Sequence, residues 1–349
     1  MQQSSRLEVI DTIKGIAITL VVLGHALVAG YMIKGASFSF QQCFDIIYGF
    51  HMSVFFVVAG LFVQKWTTLD FKTAFIRKFC RLMIPYFTWG FLFAIYKQLG
   101  QQFSTEMVSS EGITTFLSSP WKPWNIFWFV YVLFFINLLY YVVIHWCKNY
   151  QTGQKLFLII SIPVYLLGYF QPHGWILYSL CNYMPFFAIG TYLLPLFNKK
   201  YPLGWKNGIC CFGTFIIVNI LYLKLTKTVN TGPLYLYKFV TSVSGCWLIY
   251  YVSSWIIQNS KQINALFNFL GKKSLEIYVL HPFIIGIGRV ILRKCFGTHF
   301  LWGQVILLTF VATTVCAIVW KCIDEKNKFY RIMFGVFKKT SNTPNPTPL

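Results

Sequence analysis

Acidic residues are scarce in this sequence. Only 9 of its 349 residues are Asp or Glu, and charged residues of both signs make up 11% of the chain, against about 25% in a soluble domain. Hydrophobic residues make up 56% and aromatic residues 20%. These proportions exclude a soluble globular protein and a disordered chain. They predict an all-α fold, a polytopic bundle of transmembrane helices.

The motifs of several enzyme classes are absent. The sequence has no C-x-x-C pair and no Cys/His spacing suited to zinc, so we expect its cysteines to pack as small apolar residues and expect no metal. It has no Walker A or Rossmann glycine pattern, no H-E-x-x-H and no G-x-S-x-G. These absences argue against an ATPase, a metalloprotease and a serine hydrolase.

Long apolar runs divide the chain into ten predicted spans, most of them near the length that crosses a bilayer as a helix, with the third and fifth shorter. The 30 basic residues lie scattered between these runs, so we expect membrane lipid and no nucleic acid as a partner. The predicted spans are 13–33, 43–63, 83–99, 126–146, 156–170, 176–197, 208–225, 234–257, 275–294 and 301–321.

The basic residues also predict the orientation of the spans. With ten spans, 21 of the 30 bases fall on the side of the N-terminus and 9 on the other, which by the positive-inside rule predicts cytoplasmic N- and C-termini. We expect one transmembrane domain over residues 1–337. Residues 338–349 are rich in Pro, Asn and Thr and predict a disordered cytoplasmic tail.

Three ionisable residues share one face of the first span. Asp11 and Lys14 lie one turn apart, a spacing that allows an ion pair, although a snorkelling Lys beside a helix-start Asp explains the same pattern. His25 follows Lys14 by eleven residues, about three turns, so it points the same way roughly 16 Å deeper. Gly24 thins the helix beside it. Histidine is the usual general base near neutral pH, and a packed histidine is the alternative.

Four ionisable residues within the spans are further candidates for the site. Asp45 and His51 are in the second span, and Glu276 and His281 are in the ninth. Because buried ionisable groups are costly in a membrane, each is a candidate for catalysis, and several imidazoles could meet in one cavity. The alternatives are that Glu276 caps its helix, that His281 packs before Pro282, and that Asp45 faces an acceptor substrate.

A basic cluster precedes the third span. Lys72, Arg77, Lys78 and Arg81 fall within ten residues. A regular helix would place Arg77 and Arg81 on one face and Lys78 one turn from Arg81, and Pro85 would then bend or restart the chain. Such a cluster suits phosphate groups. A basic flank that contacts anionic lipid is the alternative.

Six sequence blocks follow one another along the chain. They are RLEVIDTIKGIAITLVVLGH (6–25), FHMSVFFVVAGLF (50–62), RKFCRLMIPYF (77–87), WFVYVLF (128–134), FFAIG (186–190) and SLEIYVLHP (274–282). In this order they resemble the acyltransferase-3 family of membrane acyltransferases. The FHM form of the second block is similar to the branch called fucose 4-O-acetylase-like.

The resemblance implies a membrane O-acyltransferase of a bacterial cytoplasmic membrane. The donor would be cytoplasmic acyl-CoA, usually acetyl-CoA, and the acceptor a hydroxyl of a surface or lipid-linked carbohydrate. His25 would be the catalytic base and Lys14 its partner on the donor path. Lys78 and Arg81, with Arg77 and Lys72, would hold the phosphates of CoA.

One block departs from the family pattern. Ser53 stands where many relatives have Asp, so the group that orients the catalytic histidine is open among Asp45, His51 and Glu276. Trp124 and Trp128, with Trp121, would stack on sugar rings or anchor the chain at the membrane interface.

Two other functions remain open from the sequence. A transporter or polysaccharide exporter would use the intramembrane histidines and acids as a proton relay, but it leaves the basic cluster without a role. A regulatory or sensing module is the second, and the lack of a sizeable soluble domain argues against it.

Overall fold

The computed structural model describes residues 2–31, 38–100, 112–117, 122–147, 149–195, 204–228, 232–297, 299–323 and 326–336. These residues are almost entirely helical, and no strand occurs among them. The predicted all-α fold is confirmed. Lys34, Trp121, Lys148 and residues 338–349 lie outside the described ranges.

Fifteen α-helices follow one another along the described residues. They are α1 (Gln2–Tyr31), α2 (Phe38–Leu61), α3 (Val63–Thr67), α4 (Phe71–Lys78), α5 (Ile84–Gly100), α6 (Ile113–Leu117), α7 (Trp128–Trp146), α8 (Tyr150–Leu167), α9 (Ile176–Leu193), α10 (Trp205–Thr228), α11 (Gly232–Asn259), α12 (Lys261–Lys272), α13 (Ser274–Phe296), α14 (Leu301–Cys322) and α15 (Lys328–Met333). A π-helical turn, Phe79–Met83, joins α4 to α5.

Each predicted span overlaps one of these helices, and residues 32–33 and 196–197 of the first and sixth spans lie outside the described ranges. Eight stretches in the described ranges are long and apolar enough to cross a membrane. They are Ser39–Leu61, Phe71–Gly100, Trp128–Trp146, Tyr150–Phe170, Trp205–Leu225, Tyr235–Asn259, Ser274–Phe296 and Leu301–Cys322. The other two predicted spans lie on α1 and α9, which have 30 and 18 residues. The chain is therefore a multi-pass membrane protein, and the orientation of its termini stays a prediction.

The first of two compact units comprises Met1–Val58 and Pro195–Lys321. Helix α1 packs against α11, α12 and α13. The backbones of α1 and α12 are in contact. A Cβ added to Gly271 would overlap the carbonyl oxygen of Asp11, and a Cβ added to Gly15 would overlap the carbonyl oxygen of Phe267. Only glycine permits this approach, which determines where the first half of α1 lies.

The second unit comprises Ala59–Leu194 and Cys322–Leu349. Helix α7 packs against α8 and α9, and α5 packs against α6 and α15. Helix α4 begins at Asp70, whose carboxylate accepts the backbone N–H of Thr73 at 2.9 Å. This bond caps the helix that holds the basic cluster.

Candidate functional site

The His25 side chain lies beside residues of α2 and α13. Its ring centroid is 5.1 Å from that of His281 and 6.2 Å from that of Tyr48, the latter edge to face. Among the described residues, His25 has a hydrogen bond at its backbone carbonyl and none at its ring nitrogens. The imidazole can therefore accept a proton from a bound molecule.

Helix α1 joins His25 to the buried ion pair predicted from the sequence. Lys14 Nζ lies 2.8 Å from Asp11 Oδ1, and Lys14 is only 6% exposed. The helix is unbroken from Gln2 to Tyr31. The rise of roughly 16 Å between Lys14 and His25 that an α-helix gives therefore applies.

A polar contact with α12 supports the ion-pair end of α1. Asn264 donates from Nδ2 to Glu8 Oε1 at 2.5 Å and accepts from Thr12 Oγ1 at 2.7 Å. Asn268 Nδ2 donates to the Glu8 carbonyl at 3.3 Å. Together with the glycine contact, these bonds hold the turn that contains Asp11 and Lys14.

His51 and His281 have their tautomers set by their own helices. His51 Nδ1 lies 2.6 Å from the Ile47 carbonyl, and His281 Nδ1 lies 3.0 Å from the Ile277 carbonyl. Because a carbonyl oxygen only accepts, each Nδ1 bears the proton and each Nε2 is left as an acceptor. His281 Nε2 is buried and has no partner among the described residues.

Tyr48 brings the imidazoles together, and the sequence reasoning missed it. Its ring centroid is 4.8 Å from that of His51, and it contacts His25 on its other side. A Cβ on Gly24 would lie 2.9 Å from Cε2 of Tyr48, so the glycine beside His25 leaves room for this ring. The signal was its spacing, since Tyr48 and His51 are three residues apart on α2.

Arg289 on α13 is a second residue that the sequence reasoning missed. Its Nη2 lies 3.5 Å from the His25 carbonyl oxygen. In the sequence it counts only among the 30 basic residues whose distribution predicts orientation. Its position along α13, two turns beyond His281, places a cation near the histidine cluster.

The remaining candidates in the first unit have other surroundings. Glu276 is 3% exposed, and its Oε1 lies 3.6 Å from Lys273 Nζ, which forms an ion pair at the start of α13. Its backbone carbonyl accepts from Trp320 Nε1 at 3.0 Å. Asp45 is half-buried on α2, three residues before Tyr48.

Ser53 forms a hydroxyl chain with α11. Its Oγ donates to Ser242 Oγ at 3.1 Å, and Ser242 Oγ donates to the Gly49 carbonyl at 2.5 Å. Both serines are buried. Ser53 therefore links α2 to α11, and its side chain bonds to Ser242 and not to a histidine.

The basic cluster lies in the second unit, with Lys78 at its centre. Lys78 is 9% exposed, and its ammonium lies 5.2 Å from the centroid of the Trp66 ring. Trp66 Nε1 in turn donates to the Ala74 carbonyl at 2.8 Å, which fixes the ring under the lysine. Arg77 and Arg81 are half-buried, and Lys72 is exposed.

A π-turn separates Arg81 from Lys78. The Ile84 N–H donates to the Phe79 carbonyl, five residues back. The wider turn accommodates Pro85, which cannot donate to the carbonyl four residues before it. The chain therefore stays helical through Pro85 instead of restarting there.

The two predicted substrate tryptophans differ in exposure. Trp124 is 3% exposed, and its ring packs against those of Phe93 and Phe116. Trp128 is half-buried, with its ring centroid 5.1 Å from that of Tyr183. No group of three His, Cys, Asp or Glu side chains that could hold a metal occurs in the described part of the chain.

Comparison with known proteins connects this arrangement to a family. A family model described as an acyltransferase domain, that of the acyltransferase-3 family, matches residues 7–321. The match extends from the start of α1 almost to the end of α14, and it confirms the resemblance seen in the six sequence blocks.

One curated relative is the nodulation protein NolL of Mesorhizobium japonicum (strain LMG 29417 / CECT 9101 / MAFF 303099). The two chains are 26% identical over 217 residues, which is 60% of this chain and 52% of the relative. This chain thus spans about half the length of the curated relative it matches. No solved structure matches the chain.

Proposed function

Because this chain belongs to the acyltransferase-3 family, we propose that it is an O-acyltransferase acting on a carbohydrate hydroxyl in a bacterial cytoplasmic membrane. The donor is a cytoplasmic acyl-CoA, in our proposal acetyl-CoA, and the acceptor is a surface glycan or its lipid-linked precursor. The observation that supports this most directly is the His25 imidazole, which has no hydrogen-bond partner among the described residues and lies beside Tyr48 and His281.

His25 acts as the general base in this proposal. One ring nitrogen takes the proton of the acceptor hydroxyl, directly or through a water molecule, while that oxygen attacks the acyl carbon. Transfer through an acyl group on His25 itself is the second route. In the first route, the imidazolium gives the proton to the departing thiolate of CoA. In the second, the thiol leaves with the N–H proton of the imidazole as the acyl group binds His25, and the acceptor hydroxyl returns a proton to the ring when it takes the acyl group.

His281 orients the base. Its buried Nε2 is an acceptor with no donor among the described residues, and its ring is 5.1 Å from that of His25. When an N–H of His25 donates to this nitrogen, it satisfies a buried acceptor. Leaving such an acceptor without a donor costs about 1–3 kcal/mol. The other nitrogen of His25 then faces the substrate. His281 thus takes the place of the family aspartate that Ser53 does not supply, and His51, Asp45 and Glu276 are secondary candidates.

The basic cluster binds the phosphates of the donor. Neither Lys78 nor Arg81 forms an ion pair in the described part of the chain, and a buried ammonium without a counter-ion is costly. A phosphate group would supply that negative charge, so the residues present fit this part of CoA. Arg77 and Lys72 contribute further positive charge. The donor supplies the activated thioester.

Lys14 and Trp128 have supporting roles. Lys14, held by Asp11, places a cation three turns from His25 on the same helix. Trp128 keeps part of its ring accessible, whereas Trp124 is buried in an aromatic cluster. We therefore propose Trp128 as the residue that stacks on the acceptor sugar and Trp124 as its packing support.

Acetyl transfer in proteoliposomes tests the proposal. His25→Ala is expected to lower kcat by about 100-fold or more, the usual contribution of a general base. His299→Ala is the matched control, because it also removes an imidazole, from an exposed position. Wild-type turnover in His25→Ala would refute the mechanism. Failure of the wild-type protein to bind CoA would favour the transporter instead.

A further inference from the structure

A C-terminal segment follows the last residue of the family match. The match ends at residue 321, and the C-terminal segment, residues 326–336, contains α15 and the turn after it. It belongs to the second unit, as does the basic cluster. Neither the sequence blocks nor the proposed mechanism gives this segment a role.

The C-terminal segment is fixed by packing and a hydrogen bond. Phe334 is fully buried, and its ring centroid is 5.8 Å from that of Trp89 on α5. Tyr330 and Met333 are also buried. Thr88 Oγ1 donates to the Met333 carbonyl at 3.1 Å. The segment is thus attached to the helix that follows the π-turn.

Gly335 brings the segment onto the π-turn itself. Its φ is +60°, a conformation that favours glycine, and a Cβ there would overlap the carbonyl oxygen of Cys80. Cys80 lies between Lys78 and Arg81. The backbone of the C-terminal segment therefore touches the turn from which the proposed phosphate-binding side chains project.

Arg331 adds a guanidinium to this segment. Its Nε donates to the Val336 carbonyl at 3.0 Å, and the Val336 N–H donates to the Arg331 carbonyl at 2.8 Å. This pair of bonds closes the turn around Gly335 and holds the guanidinium by one edge. Arg331 forms no ion pair with the described acidic residues. Its two terminal nitrogens can therefore bind an anion as a fork.

We propose that the C-terminal segment is part of the donor site, with Arg331 as a further residue that binds the phosphates of CoA. The proposal rests on the proposed function. Gly335 seats the segment on the π-turn, and Arg331 adds a guanidinium to the cations of the basic cluster. Because CoA carries several phosphate charges, one more guanidinium increases affinity for the phosphates without contacting the thioester.

Equilibrium binding of CoA to the purified full chain in nanodiscs tests this role. Arg331→Gln is expected to raise the Kd by about tenfold, the usual worth of one charge-assisted contact. Arg331→Lys should keep the charge and recover part of the affinity. The wild-type Kd should also rise more steeply with salt than that of Arg331→Gln, because one screened charge contact is missing in the variant. A merely structural role for Arg331 would leave this salt dependence unchanged.

A pair of glycine variants tests the seating of the segment. Gly335→Ala should weaken CoA binding, because the added methyl group meets the Cys80 carbonyl. Gly297→Ala is the control, since Gly297 also has a positive φ, +57°, but no described atom lies within 4 Å of an added Cβ. Weaker CoA binding in Gly335→Ala and not in Gly297→Ala would therefore report the contact with Cys80.

The outcomes separate this inference from the proposal on which it rests. If CoA binds the wild type, Arg81→Gln weakens binding, and Arg331→Gln and Gly335→Ala do not, then the C-terminal segment is not part of the donor site. If the wild type does not bind CoA, or Arg81→Gln binds it as the wild type does, the proposed donor site itself is wrong.

Discussion

Replacing Asn264 by alanine is expected to destabilise the contact between α12 and the start of α1. The Asn264 side chain is 7% exposed and makes two hydrogen bonds across the interface, one to the Glu8 carboxylate at 2.5 Å and one from Thr12 at 2.7 Å. A bond to a charged group is worth about 1.5–3 kcal/mol and a neutral one about 0.5–1.5 kcal/mol. The expected loss in the free energy of unfolding is therefore about 2–4 kcal/mol.

The assay is unfolding of the purified protein by SDS in mixed micelles, followed by tryptophan fluorescence. Asn259→Ala is the matched control, because Asn259 is exposed and its side chain bonds only within its own helix, to the Trp255 carbonyl at 2.8 Å. Asn264→Ala should also lower acetyl transfer at a temperature where it is folded, since the turn with Asp11 and Lys14 loses its support. Equal unfolding curves for the two variants would refute the reasoning.

Three further predictions follow from local contacts. Trp66→Leu removes the ring under Lys78 and should raise the Kd for CoA by about 2- to 30-fold, the range of a cation–π contact of 0.5–2 kcal/mol, measured by equilibrium binding. Gly24→Ala pushes on the Tyr48 ring and should lower kcat for acetyl transfer with little change in the KM for the donor. Asp70→Asn should keep the helix cap but remove its pH dependence. Hydrogen bonds from Thr73 lower the pKa of Asp70, so the stabilising effect of the carboxylate is present above the pKa of the unfolded carboxyl, about 3.9, and is lost as the pH falls through the pKa of the folded state. SDS unfolding at several pH values measures this loss.

Matched controls exist for these variants. Trp205→Leu removes an exposed ring that also lies under a lysine, with Lys206 Nζ 5.7 Å from its centroid, and should leave CoA binding unchanged. Gly213→Ala adds a methyl group where nothing lies within 4 Å and should leave kcat unchanged. Comparable effects in a variant and its control would contradict the corresponding contact. For Asp70, an acid-induced loss of stability that persists in Asp70→Asn would assign it to another group.

Local spacing was enough to predict the pairs that lie within one helix. Asp11 and Lys14 form the ion pair that a one-turn separation allows, and Lys14 and His25 share an unbroken helix. The same reasoning does not apply between Arg77 and Arg81, because the π-helical turn Phe79–Met83 lies in that stretch. A periodicity argument assumes regular geometry, and a π-turn violates it.

The apolar content, the lengths of the apolar runs and the order of the six blocks were sufficient for the fold class, the multi-pass membrane architecture and the family. These properties depend on hydrophobicity summed over many residues, so single irregularities do not change them. Which side chains meet depends instead on contacts between distant parts of the chain. Three such contacts are Tyr48 beside His25 and His51, a His281 Nε2 with no partner among the described residues, and Gly335 on the Cys80 carbonyl. They arise only when separate helices pack, because close packing depends on local shape and not on sequence spacing.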